Sequence, residues 1–235
     1  MGQVKELVRT ARRVRATEGP VPLLRRALAF AVGLVFLYRV YNLYVLTLED
    51  TDGLGDEGPA PPMEGVSYVV LSTNQQVDDL EADGYEFRAL VRDARARLDA
   101  GAVATCVFVG KELANVCWVA TTQEAADSLN EPPFHIEYGN RECCSGDGWT
   151  NPRYRRAGLL AYGDVKRRQY QYQQGIRVSK WAVEKSNVPT NKVASRIGAR
   201  VPIQGRLLRI LGWKWWKEEA VSFQPASPCT EPLQK

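Results

Sequence analysis

The sequence predicts an α/β domain, a mixed sheet with helical connections, behind a helical N-terminal extension. Three observations predict it. After residue 65, short runs rich in β-branched and aromatic residues alternate with stretches of helical character. Before that point, residues 3–16 place Val4, Leu7, Val8, Ala11 and Val14 at helical spacing, with arginines elsewhere on the wheel. Between the two lies a Gly/Pro-rich acidic stretch, and residues 47–64 hold six acids and no base.

In chain order, EGPVP ends the first helix and a second helical stretch is expected from about Leu23 to Val40. YNLYVLTLE reads as a strand running into the linker at residues 50–65. Strands are expected at 66–72 and 102–110, with two short helices over 73–99 parted near Gly84. Lys111 and Glu112 turn the chain into LANVCWVAT, and a third pairing strand ends near Trp149, after the loop containing Pro132 and Pro133. Leu159 to Gln174 has helical character, 175–184 alternates as a strand, Thr190 to Ile197 is a short helix and 199–223 is a closing hairpin. The domains are therefore 1–49 extension, 50–65 linker, 66–223 core domain and 224–235 tail. A chain of 235 residues suits one core with an extension.

The apolar run Ala27 to Tyr38 falls short of the roughly 20 residues a spanning helix needs, and Arg25, Arg26 and Arg39 bound it. Burial or interfacial contact is the expectation. Five cysteines with no CxxC spacing, and the single histidine His135, do not compose a usual zinc site. They read as reduced thiols of a cytoplasmic protein, whose basic N-terminal helices offer a route to peripheral membrane association.

The net charge of +4 hides a segregation. Residues 65–150 hold six bases and fourteen acids, whereas residues 151–217 hold sixteen bases and two acids. Such an excess concentrates an anionic ligand, unless it is only a solvated face. Within it stands TNPRYRRAGLLAYGDVKRR, which sets Arg155, Arg156 and Gly158 at the mouth of a helix. A helix start leaves N–H groups without intrahelical partners and carries partial positive charge, so phosphate fits there. Gly158 lets backbone and ligand approach, the two arginines add charge-assisted donors, and Pro152 fixes the chain direction.

The segment Pro152-Arg153-Tyr154-Arg155-Arg156-Ala157-Gly158-Leu159 resembles the acyl-coenzyme-A loop of the GCN5-related N-acetyltransferase (GNAT) superfamily, R/Q-x-x-G-x-G/A. Arg155 and Gly158 match, and Leu160 stands where the pattern has a small residue. Downstream, Asn187, Thr190 and Gly198 resemble the family's late motif, with Ala199 in place of its aromatic. The resemblance covers residues 66–223. It implies a mixed, mostly antiparallel central sheet flanked by helices, and an N-acyltransferase that uses acetyl-CoA or another acyl-CoA. It further implies that Cys144 to Thr150 pairs with the pantetheine arm, Trp149 and Thr150 included. Arg155, Arg156, Ala157, Gly158, Leu159 and Leu160 would then hold the diphosphate, and Asn187 would lie beside the arm. Asn187 and the glycines have a plainer reading as helix caps.

Direct transfer to an amine needs a proton acceptor, and Glu137 and Glu142, flanking the strand that enters the loop, are the base candidates. His135 is a weaker one. The family's usual tyrosine acid has Ala194 in its place, leaving Tyr170, Tyr172, water or a loss of catalysis. The acceptor is a small-molecule, sugar or lipid-linked amine. Trp213, Trp215 and Trp216 either line its pocket or form an alternating hairpin face covered by the N-terminal helices, lipid or a second copy, as in a homodimer. The same basic segment, with Tyr170, Tyr172 and Trp181, leaves a nucleic-acid-binding module as the lesser alternative, beside a catalytically silent acyl-CoA binder.

Overall fold

The computed structural model describes residues 36–48, 62–129, 132–211 and 213–221. The expected helix at 3–16, most of that at 23–40, most of the linker and the tail fall outside these residues. The end of the second expected helix is corrected. Phe36–Thr47 is one strand, β1, so 36–40 are extended. A continuous apolar run carries no periodicity to separate helix from strand, and sheet pairing decides the matter.

The remaining elements follow the expected order. They are β2 (Val66–Leu71), α1 (Asn74–Ala82), α2 (Ala94–Asp99), β3 (Val103–Val109), β4 (Glu112–Ala120), α3 (Gln123–Leu129), β5 (Glu142–Thr150), α4 (Leu159–Gln173), β6 (Val178–Glu184), α5 (Val188–Arg196), β7 (Arg200–Ile210) and β8 (Trp213–Ala220). Helix α3 is an addition to the sequence reading; the Thr122 hydroxyl accepts the Ala125 N–H at 3.2 Å and starts it. At seven residues it is too short to display a periodicity.

The strand order is β2-β3-β4-β5-β6-β1-β7-β8. The pairs β2–β3, β3–β4, β4–β5 and β1–β6 are antiparallel, and β5–β6 is parallel. The chain forms two compact units, Tyr41–Gly205 with Glu218–Lys235 and Met1–Val40 with Arg206–Lys217. In the larger unit β3 and β4 are almost continuously buried, which requires cover on both faces. On one face Trp118 packs on Phe87 and under the Arg97 guanidinium. On the other, Leu159 of α4 joins Val107 and Ala114.

Candidate functional site

Strands β5 and β6 are hydrogen-bonded neighbours only at their beginnings. Glu142, Cys143 and Cys144 face Val178, Ser179 and Lys180, and there the pairing stops. Strand β5 runs on through Ser145–Thr150 and β6 through Trp181–Glu184 without meeting, each held on its outer side by β4 or β1. Parallel strands that part leave main-chain N–H and C=O groups facing an opening, which an extended ligand bearing amides can pair with.

A buried polar cluster sits where the strands part. From α4, the Gln171 Nε2 donates to Ser145 Oγ at 2.8 Å and to Ser179 Oγ at 3.4 Å, and the two hydroxyls are 2.9 Å apart. Cys143 Sγ lies 3.1 Å from the same amide nitrogen, and burial pushes its thiol up to about 11. Gln171 Oε1 has no hydrogen-bond partner among the described residues. Replacing Gln171 with leucine therefore removes hydrogen bonds and an unpaired buried oxygen together, while Ser145 and Ser179 keep each other. The expected cost is about 1 kcal/mol or less in chemical denaturation; a loss above about 3 kcal/mol would mean that the oxygen is satisfied in solution.

The open end carries the loop. Asn115 of β4 donates to Trp149 O and Thr150 Oγ1, both at 3.0 Å, and fixes the last residues of β5. Asn151, Arg153 and Tyr154 then converge on Glu112 of β4, at 3.1, 2.9 and 2.6 Å. Glu112, which the sequence suggests only as part of a turn, thus anchors the loop from some forty residues away. The Tyr154 hydroxyl foremost, with Arg153 and Asn151, holds its carboxyl below the ordinary 4.5 against an opposing effect of burial. A depressed carboxyl contributes stability above its unfolded value and loses it as pH falls through the folded one. The Tm difference between the native chain and Glu112→Gln should accordingly be largest near neutral pH and close below about pH 4.5.

Beyond the anchor, Arg156 and Gly158 take left-handed backbone angles, φ 67° and 78°, and Gly158 caps α4 without a side-chain bond. A Cβ on Gly158 would lie 3.4 Å from Pro62. The Ala157 N–H is directed to Tyr154 O at 3.4 Å, so this amide is engaged within the loop. Those of Gly158, Leu159 and Leu160 have no acceptor among the described residues. Arg155 and Arg156 are exposed and make no ion pair among the described residues. Leu159 is fully buried, and Leu160 is exposed at the mouth. Trp149, Thr150 and the 155–160 loop lie at the C-terminal end of β5, and Asn187 follows the C-terminal end of the parallel β6. The plainer reading also applies to Asn187, whose side chain caps α5 by accepting the Thr190 N–H at 3.3 Å.

Glu137 and Glu142 lie at the other end of β5 from the loop, where β5 and β6 are still paired. Glu142 opens β5, eight strand steps or about 26 Å from Thr150. Its carboxylate meets Lys180 Nζ at 2.5 Å and accepts the Glu137 N–H at 2.7 Å. Glu137 is exposed, bonded to Asn140 Nδ2 and 3.7 Å from His135 Nε2. Ala194 is buried with Tyr44 and Val183.

The basic segment 151–217 is also less of a surface than its count implies. Arg167 and Arg168 both pair with the buried Asp164, Arg153 with Glu112, and Lys180 with Glu142, while Arg177 stacks 3.9 Å over the Tyr172 ring. No group of His, Cys, Asp and Glu suited to a metal ion occurs among the described residues.

No protein-family model and no curated protein sequence matches the chain. Among solved structures, it is similar to a tandem GNAT protein from the clavulanic acid biosynthesis pathway, studied without AcCoA. The TM-score is 0.51 at 20% identity, over 85% of this chain and 59% of that one. It is also similar to a GCN5-related glucosamine N-acetyltransferase region in a fungal multi-domain β-N-acetylglucosaminidase. There the TM-score is 0.50 at 13% identity, over 78% of this chain and 22% of that one. The chain thus spans less than two thirds of either protein's length. At 13–20% identity the likeness is one of fold: the chain folds like these GCN5-related N-acetyltransferase structures.

Proposed function

We propose that the chain is an acyl-CoA-dependent N-acyltransferase, acetyl-CoA being the first donor to test, acting on a small-molecule, sugar or lipid-linked amine. One observation carries the reading: the parting of β5 and β6 beside a helix start whose amides have no acceptor among the described residues and which carries two exposed arginines. Coenzyme A would bring the acyl thioester. Arg155 and Arg156 supply charge-assisted donors for a diphosphate, and the amides of Gly158, Leu159 and Leu160 supply neutral ones. Asn115 holds the Trp149–Thr150 edge against which an amide-bearing arm pairs. The acceptor nitrogen forms a bond to the acyl carbon as the carbon–sulfur bond breaks, and the nitrogen's proton leaves while the thiolate gains one. Ala194 has no proton to give. With Glu142 engaged by Lys180, solvent is the simplest carrier for both protons.

Isothermal titration of acetyl-CoA into the full chain tests the binding half, with micromolar affinity expected. No heat at high micromolar ligand would remove the reading. A second reading, an acyl-CoA binder without turnover, is favoured by the buried methyl at Ala194. Release of free thiol against a panel of amines separates the two.

A further inference from the structure

The smaller unit, Met1–Val40 with Arg206–Lys217, carries an apolar surface that the acyl-transfer reading does not use. Its described residues Ile210, Leu211, Trp213 and Trp215 are 42%, 76%, 86% and 51% exposed. They cluster around the turn between β7 and β8 and, with Leu208 and Lys214, line one apolar hollow. Phe36 and Tyr38 of β1, in the same unit, are about half exposed as well. Strand β8 is the last in the sheet order, and Trp213 and Trp215 lie on one face of it by alternation. Monomeric soluble proteins do not ordinarily leave so many large apolar groups together in water.

Charge selects the occupant. Among the described residues of this unit Arg39, Arg206, Arg209, Lys214 and Lys217 are basic and none is acidic. A second copy would bring one strongly positive unit against another. A nucleic acid would match the charge and could stack on Trp213 and Trp215, but three of the five apolar residues lining the hollow, Leu208, Ile210 and Leu211, are aliphatic and offer no ring. A lipid interface suits both features: tryptophan prefers the headgroup level, aliphatic side chains enter the acyl boundary, and bases meet anionic headgroups.

We propose that the β7–β8 hairpin tip is a membrane-docking element that inserts Leu211 and Trp213 into the interface of an anionic bilayer. This contact is made by described residues of the hairpin, and it is independent of the acyl-CoA reading. Among the described residues no helix is long and apolar enough to cross a membrane.

The test is flotation of the full chain with vesicles of mixed phosphatidylglycerol and phosphatidylcholine, beside vesicles of phosphatidylcholine alone. Binding to the anionic vesicles is expected to be about tenfold or more tighter and to weaken with salt. Leu211→Glu with Trp213→Glu should lower it about tenfold or more, and Lys214→Glu by a smaller factor. Brominated lipid should quench tryptophan fluorescence in the native chain, and Trp213→Phe should remove a large part of that quenching. The quenching arm requires no destabilising substitution. The proposal is overturned if the native chain does not float with anionic vesicles, or if Trp213→Phe leaves the quenching intact. Flotation of a folded double variant like the native chain would also overturn it. So would a solution dimer, or single-stranded DNA binding, that depends on Leu211 and Trp213 and outcompetes the vesicles.

Discussion

Replacing Gly163 with valine is expected to destabilise the chain by about 3 kcal/mol or more, a fall in Tm of roughly 6–12 °C, or to prevent folding. At Gly163 helix α4 lies close against the sheet. A Cβ there would stand 2.9 Å from Val107 Cγ2 and 3.0 Å from Asn115 Oδ1. Neither neighbour can give way freely, because Val107 is fully buried and Asn115 is hydrogen-bonded to Trp149 and Thr150. Gly163→Ala gains up to about 1 kcal/mol of helix propensity and still meets both atoms, so a smaller loss of about 1 kcal/mol is expected. Because the displaced atom belongs to Asn115, the alanine variant should also weaken acyl-CoA binding by more than its stability loss explains. A Gly163→Ala chain as stable as the native one, with unchanged affinity, would show that the helix and sheet can separate without consequence.

Reversing both Arg155 and Arg156 to glutamate is expected to weaken coenzyme A binding about 100-fold or more, since two charge-assisted hydrogen bonds are lost and two repulsions added. Thermal stability should stay within about 0.5 kcal/mol of the native chain, as for other exposed positions away from structural features. The paired glutamine variants separate lost attraction from new repulsion and should fall between. An affinity within about threefold of the native value would remove the diphosphate role from this loop. Titration calorimetry reads the affinity, and its dependence on salt reports whether charge carries it.

Apart from α3, the order of elements from Val66 to Ala220 was legible in the sequence because strands and helices announce themselves by local period. VSYVVL and VATCVFV are β-rich runs between turn residues, and the stretch after Gly158 has helical character. The loop was legible for the same local reason: Pro152, Arg155, Arg156 and Gly158 stand within seven residues of one another. The residues that shape the site around it were not. Glu112 meets Arg153 and Tyr154 across 41 and 42 residues, and Gln171 meets Ser145 across 26. Nothing in a local pattern ties such positions together. The carboxylates Glu137 and Glu142 read as bases because they flank the right strand, whereas direction along that strand puts them at its far end from Thr150.

The sequence by itself determined that this chain alternates strands and helices around a basic, glycine-opened helix start, since propensity, periodicity and turn chemistry act over a few residues. Only the tertiary structure decided that Phe36–Val40 is extended, that β5 and β6 part after Cys144 and Lys180, that Gln171 braces the point of parting and that Glu112 anchors the loop at the open end. These outcomes depend on strand pairing and buried hydrogen bonds between distant segments. Their free energy exists only once the whole sheet has formed.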